Sequence, residues 1–297
     1  MLKLFTGRRW GELKAHVRAV SAEEVYEGVS TAGRTAPAGL ALDGLVAGPE
    51  DVLGLTLAGG FNRYMAWQLR GYATADQTSD SAIMRYVDKL QEAIDDLQAA
   101  LALDPANGLA ASFLASAAAE SSPDEKDEIG ALLAQSRGAP PSGYMALLNA
   151  QAEKWGGSHA KMWEIVHRYR DLDKPGTLAL VARAHFEHHL YLLIMDERGA
   201  AQKEAERYYR DGRRLAELQT ASDEVFVQRG PENLHAQRLA DGWFARVLIQ
   251  AGDTRRARRH LVRLGNYVED WIWGASSMFG PRLTWGLSRL RAGLLPF

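Results

Sequence analysis

The sequence predicts an all-α fold, an array of antiparallel helical hairpins, and three observations carry that expectation. From Tyr86, the apolar residues Leu90, Ala93, Ile94, Leu97 and Leu101 recur at steps of three and four, the period of one helix face. Proline, glycine and Ser/Asp capping residues then cut much of the chain into pieces of roughly 15–28 residues, the length of a helix or a short hairpin. Finally, the composition is 46% hydrophobic and 24% charged, as in a globular protein, with no apolar run near the ~18 residues of a membrane span.

The same composition excludes several function classes. At 297 residues the chain suits one extended domain or two ordinary ones, and a quasi-linear hairpin stack favours the former. It has no cysteine, so disulfides, thiol catalysis and Cys-ligated zinc or iron–sulfur centres are ruled out. Met1 to Trp10 has no apolar signal core, and the expected location is the cytoplasm. The net charge is −2, but residues 1–200 hold 19 Lys+Arg against 26 Asp+Glu, and residues 201–297 hold 16 against 11. Scattered charge on helix faces accounts for this imbalance; an attraction between the two ends, or to an acidic partner, is the functional alternative.

Residues 1–60 read as an irregular helical and loop segment, and residues 61–297 as the repeat domain. Ser21-Ala22-Glu23-Glu24 has the spacing of a capping box. Residues 31–60 are rich in Gly, Ala, Thr and Pro, so 32–48 is expected to be a loop with one short turn around Leu42 to Leu45, a boundary or a cover. The periodic helix should start near Ser79 and stop at Asp104-Pro105, because proline lacks an amide proton and restricts the residue before it. Ser122-Pro123-Asp124-Glu125 is a complete capping-box signature. A helix beginning after Pro140-Pro141 should run to Gly156-Gly157, with Ser158 capping the next. Pro175-Gly176, Gly199, Gly230-Pro231 and Gly252-Asp253 divide the remainder, and a last helix is expected near 281–292.

The segment Leu239 to Leu264 resembles one tetratricopeptide repeat. Phe244, Ala245 and Leu248 stand at that family's large, small and large positions, Gly252-Asp253 at its turn, and Ala257 and Leu261 at the packing positions of its second helix. Ala93, Leu97, Ala100 and Pro105 match a second helix, while Gln77, Asp80 and Ser81 depart from the first, so the array is a degenerate one of four or five hairpins. Asn149 to Ser158 followed by Met162, with Met65 to Gly71 upstream, is similar to the Trp-Gly-Gly-Ser segment of a bacterial family known only as domain of unknown function 4034. That resemblance, over roughly residues 55–268, implies a tetratricopeptide-like bacterial protein and no activity.

Within the segment, Trp155, Gly156, Gly157 and Ser158 make sense as structure: a left-handed glycine closes one helix and the serine caps the next. The functional alternative is an anion at the following helix N-terminus. His185 and His189, four residues apart, could ligate a metal with Asp196, His167 or His235; hydrogen-bonded structural histidines are the favoured reading, and the order differs from His-Glu-x-x-His. Ser158-x-x-Lys161 reads as a cap rather than an acyl-enzyme motif. No Gly-x-Ser-x-Gly, phosphate loop or Gly-x-Gly-x-x-Gly is present. Arg255, Arg256, Arg258 and Arg259 spread around a helix instead of forming a stripe, which disfavours nucleic acid. Trp271 and Trp273, two apart, cannot share a helix face.

The sequence therefore leads to a non-catalytic, cytoplasmic, bacterial adaptor that binds a protein or peptide without a cofactor or membrane contact. A metal-dependent enzyme or binder centred on His185 and His189, and a toxin-neutralising immunity-like protein, are the alternatives.

Overall fold

The computed structural model describes residues 1–37, 39–71, 77–172, 176–194, 200–227, 234–274 and 280–296. Pro175, Asp196, Gly199, Gly230 and Pro231, named above, lie outside the described residues. Among the described residues the fold is all-α with no strand, its single β-bridge joining Asn107 to Arg137. No described helix is long and apolar enough to cross a membrane. The chain forms two compact units, Met1–Ala150 and Gln151–Phe297.

In the first unit, α1 (Leu2–Thr6) and α2 (Trp10–Ala19) precede α3 (Ala22–Thr35), which Ser21 caps by accepting from the Glu24 amide. Residues 39–51 contain the expected turn near Leu45, whose side chain is fully buried. The segment is pinned rather than free, because Trp10 donates to the Asp43 carbonyl at 2.9 Å and Arg8 to that of Ala41 at 2.9 Å.

The boundary expected at 60/61 falls inside α4 (Val52–Arg70), and the division lies at 150/151 instead. The glycines that argued against helix are what let this one be buried. A Cβ on Gly59 would lie 2.5 Å from Leu97 Cγ, and one on Gly60 2.8 Å from the Phe113 ring. Tertiary close approach here outweighs the roughly 1 kcal/mol helix penalty of each glycine. Helix α5 (Asp80–Leu103) starts at its Ser79 cap and ends at Asp104, as the periodicity and Pro105 predict.

Asn107 caps α6 (Gly108–Ala117). Both halves of the Ser122/Glu125 capping box are formed at the start of α7 (Pro123–Gln135). For α8 (Pro141–Ala150) the acceptor comes from far along the chain, since buried Glu23 takes the Ser142 amide at 3.0 Å and its hydroxyl as well. A carboxylate at a helix N-terminus complements the helix dipole. The core stacks Phe5 on Phe61 at 3.8 Å and Tyr26 on Phe113 at 4.9 Å, each buried aromatic contributing about 1.5–3 kcal/mol of transfer free energy.

The helix expected to reach Gly156 stops at Ala150. Gly157 and Ser158 donate back to the Ala152 and Gln151 carbonyls, which closes a tight turn. The second unit then holds α9 (His159–Tyr169), α10 (Ala179–Ile194), α11 (Ala200–Arg207), α12 (Gly212–Val227), α13 (Leu234–Gln250), α14 (Thr254–Leu264), α15 (Asp270–Gly274) and α16 (Pro281–Arg291). Helix α10 is apolar on most of its surface and packs against α9, α11, α12 and α13 at once, as an all-round hydrophobic helix must. Helices α13 and α14 form the expected hairpin. Gly252 has φ of +81°, Asp253 caps α14, and Phe244, Ala245, Leu248, Ala257 and Leu261 are fully buried.

Candidate functional site

The first unit carries a groove of about 350 Å3 between α5, α6 and α7. Ile94, Leu101, Leu114, Ile129 and Leu132 supply its apolar surface, and Gln98, Glu125 and Glu128 its polar border. Ile94 is only partly buried, with one side on the core of Ala66, Tyr86, Leu90 and Ala117 and the rest open to the groove. Val87, Ile94 and Leu101 stand seven residues apart on one side of α5, a spacing that drifts only ~20° per step. Val87 is 52% exposed and Met84, one turn before it, 65% exposed. The apolar stripe thus extends about 21 Å from Val87 to Leu101 at 1.5 Å per residue. The surroundings are acidic: residues 1–150 hold 12 Lys+Arg against 19 Asp+Glu, a net charge of −7.

Sequence reasoning missed this surface. Met84 and Val87 were visible as apolar residues beside the α5 seam, but only the packing of α7 shows that the seam has a second, open side.

The Trp-Gly-Gly-Ser residues are architectural. Gly156 is left-handed at φ of +77°, and Gly157 lies so close to the Gln151 carbonyl that a Cβ would come within 2.1 Å of its oxygen. Ser158 accepts from the Lys161 amide at 3.1 Å, the expected cap of the following helix. Trp155 is half-buried in a short 3-10 turn. The neighbouring Lys154 reaches 2.7 Å to the buried carboxylate of Glu187 on α10, which also pairs with Arg183. Arg183 lies 4.3 Å over the Trp243 ring. Burial lowers the Lys154 and Arg183 pKa values, and Glu187 opposes that effect on both.

His185 and His189 both turn toward Tyr208, but as parts of the core. His185 is buried, with Nδ1 3.0 Å from the Tyr208 hydroxyl and Nε2 3.2 Å from Glu217 Oε2. That hydrogen bond is the main cause of Glu217's lowered pKa. His189 packs on Tyr209 at 4.7 Å, and burial lowers its pKa. Between them in sequence, His188 stacks on His159 at 3.6 Å; burial first, then neighbouring cationic groups, push its pKa down to about 3. His167 is exposed and His235 half-buried. Among the described residues no group of three or more His, Asp or Glu side chains is placed to hold a metal.

The arginine run is spent largely on its own unit. Arg256 bonds Asp253 at 3.0 Å and Asp223 at 3.1 Å, Arg259 bonds Asp223 at 2.8 Å, and Arg255 is exposed. Arg259 and Arg263 each lie 4.0 Å from the Phe226 ring centroid. Trp273 is fully buried, whereas Trp271 is half-buried and packs edge-on against Trp243, so the two residues do face different surroundings.

One constellation was not foreseen. Ser222 of α12, His260 of α14 and Asp241 of α13 form a chain, with Ser222 Oγ 2.8 Å from His260 Nε2 and His260 Nδ1 2.7 Å from Asp241 Oδ1. The connectivity is that of a serine hydrolase triad. However, Ser222 and His260 have no exposed surface, and His260 packs between Phe226 and Phe244. A carboxylate only accepts, so Nδ1 carries the proton and Nε2 accepts from Ser222. Burial lowers the His260 pKa and favours this neutral form. Arg263 completes the network by donating to Asp241 at 2.7 Å, and three helices are joined.

No family model matches this chain, and neither curated proteins nor solved structures yield a match. The likeness to the bacterial family therefore rests on the residues quoted for it.

Proposed function

We propose that this protein is a non-catalytic, tetratricopeptide-like adaptor of bacterial type, and that the α5–α7 groove receives an amphipathic helix of a protein partner. The observation that carries this reading is the set of apolar residues on one side of α5, exposed Met84 and Val87 and then Ile94 and Leu101 in a groove bordered by Glu125 and Glu128. Helix-in-groove recognition uses anchors at such spacings, and an acidic border selects an apolar face flanked by Lys or Arg. The α13–α14 hairpin, with small and large residues at the repeat's packing positions, supports the tetratricopeptide-like part. The bacterial assignment follows from the Trp-Gly-Gly-Ser likeness.

Two synthetic amphipathic helices with the same leucine face, one flanked by lysine and one by glutamate, test the groove by fluorescence anisotropy against the full chain. The lysine-flanked peptide should bind, and Val87→Glu and Leu132→Glu should each weaken it about tenfold or more, as losing an anchor worth ~1.4 kcal/mol or more does. Failure of both peptides to bind, or equal binding by wild type and both variants, overturns the assignment.

A further inference from the structure

A second concavity of the first unit, about 260 Å3, is lined by Arg34, Arg63, Tyr64, Trp67 and Gln68. Arg63, in α4, is 8% exposed. Its Nε donates at 2.7 Å to the Ser116 carbonyl in the last turn of α6, and Nη2 donates to the same oxygen. That contact explains two of its nitrogens as a helix C-terminal cap. It leaves Nη1 buried and without a hydrogen-bond partner.

Among the described residues, no carboxylate pairs with Arg63 or with Arg34. Aromatic rings hold these cations instead. Arg34 lies 5.1 Å from the Tyr64 centroid, and Arg63 lies 5.7 Å from that of Tyr64 and 5.5 Å from that of Trp67. Arg70 lies 5.2 Å from the Trp67 centroid. Cation–π contacts attract a guanidinium without neutralising it. Glu120 neighbours Tyr86, whose ring packs against Trp67, and forms no ion pair with either arginine among the described residues. Burial lowers the Arg63 pKa, and the tyrosines around it only oppose that effect. A desolvated cation normally has an anionic partner, because removing it from water costs several kcal/mol otherwise. Arg63, desolvated and unneutralised, with the exposed Arg34 beside it at the same concavity, calls for a negative ligand.

We infer that the Arg34/Arg63 concavity is a binding site for a small oxyanion, a carboxylate or phosphate group borne by a molecule that fits between Tyr64 and Trp67. Arg63 supplies its guanidinium charge at the wall of the concavity, Arg34 closes over it from the surface, and the ring faces accept the rest of the ligand. The volume lies just below the ~300–1,000 Å3 of pockets for drug-sized ligands, so the ligand is smaller than a dinucleotide or a peptide helix. This site is separate from the α5–α7 groove, and neither assignment depends on the other.

Calorimetric titration of the full chain with inorganic phosphate and, separately, with succinate tests the proposal and distinguishes the two oxyanions. Saturable one-site binding of either is expected below about 10 mM, weaker at higher salt. Arg34→Ala, which changes an exposed side chain, should weaken binding about tenfold or more, because hydrogen bonds to charged groups are strong. Arg63→Gln should abolish it in protein whose circular dichroism is unchanged. Lack of saturable binding by both anions, or binding that Arg34→Ala leaves unaltered, overturns the proposal even if Arg63→Gln fails to fold.

Discussion

Replacing Gly59 with alanine sets two effects of known size against each other. In an isolated helix the change stabilises by about 1 kcal/mol, since alanine loses less backbone freedom. Here the added Cβ would sit 2.5 Å from Leu97 Cγ and 2.8 Å from the Ala93 carbonyl oxygen, both on α5. Carbon atoms prefer about 3.5–4.0 Å, so the overlap is close to 1 Å. Leu97 is fully buried and Ala93 contributes backbone, so relief requires α4 and α5 to move apart along their interface. Overpacking of this kind costs about 1–3 kcal/mol, and the upper end applies where backbone is struck. After the propensity gain, a net loss of about 1–2 kcal/mol is expected. Gly11 in α2 is the matched control, because its Cβ would meet nothing within 4 Å. Gly11→Ala should stabilise by about 0.4–1 kcal/mol. Urea unfolding followed by circular dichroism reports both as shifts in midpoint at constant slope. If Gly59→Ala raised the midpoint as Gly11→Ala does, the close-approach argument for α4 would be refuted.

Three further outcomes follow from the buried charges. Asp241→Ala strands Arg263 and His260 and should cost about 3–5 kcal/mol by denaturant titration, with Arg263→Ala less than additive in the double variant. His159, His188, His189 and His260 all have folded pKa values below 6.5, mainly through burial, so the unfolded chain binds more protons in acid. Their contribution is complete above about pH 6.5 and is lost as pH falls toward the His188 value of about 3; unfolding midpoints near pH 7.5 and 5.5 should show this, and His188→Gln should flatten the slope. Asp96 has the opposite sign: burial lifts its pKa from 3.8 to about 6, so its carboxylate becomes destabilising as pH rises through that window. Asp96→Asn should therefore raise the unfolding midpoint near pH 7 and leave it little changed near pH 4.

The helix limits that could be read in advance are those with local causes. Ser79, Ser122, Ser158 and Asp253 each accept the backbone amide three residues later, a contact that depends only on neighbouring sequence. The α13–α14 hairpin was legible for the same reason, since its turn glycine and its small and large packing positions lie within twenty-six residues. The N-terminal helix α4 was not legible, because Gly59 and Gly60 look like loop residues until Leu97 and Phe113 are set against them. Nor could Glu23 be recognised as the cap of α8, as its partner Ser142 is 119 residues away.

The candidate sites divide along the same line. Histidines four apart at 185 and 189 read as structural, with metal ligation the alternative, but their partners Tyr208, Glu217 and Tyr209 arrive from other segments. The Arg255–Arg259 run spreads around its helix as its spacing predicts, but the pairing of Arg256 and Arg259 with Asp223 of α12 is set by packing. By itself the sequence determined an all-α chain, much of its helix punctuation, its lack of thiol chemistry and the local caps, because period, proline and capping act over a few residues. Only the tertiary structure decided that Arg63 is buried without a counter-charge, that α5 has a second apolar side open to a groove, and that Ser222, His260 and Asp241 meet. Burial and charge pairing are set by residues tens of positions apart, and only packing brings those together.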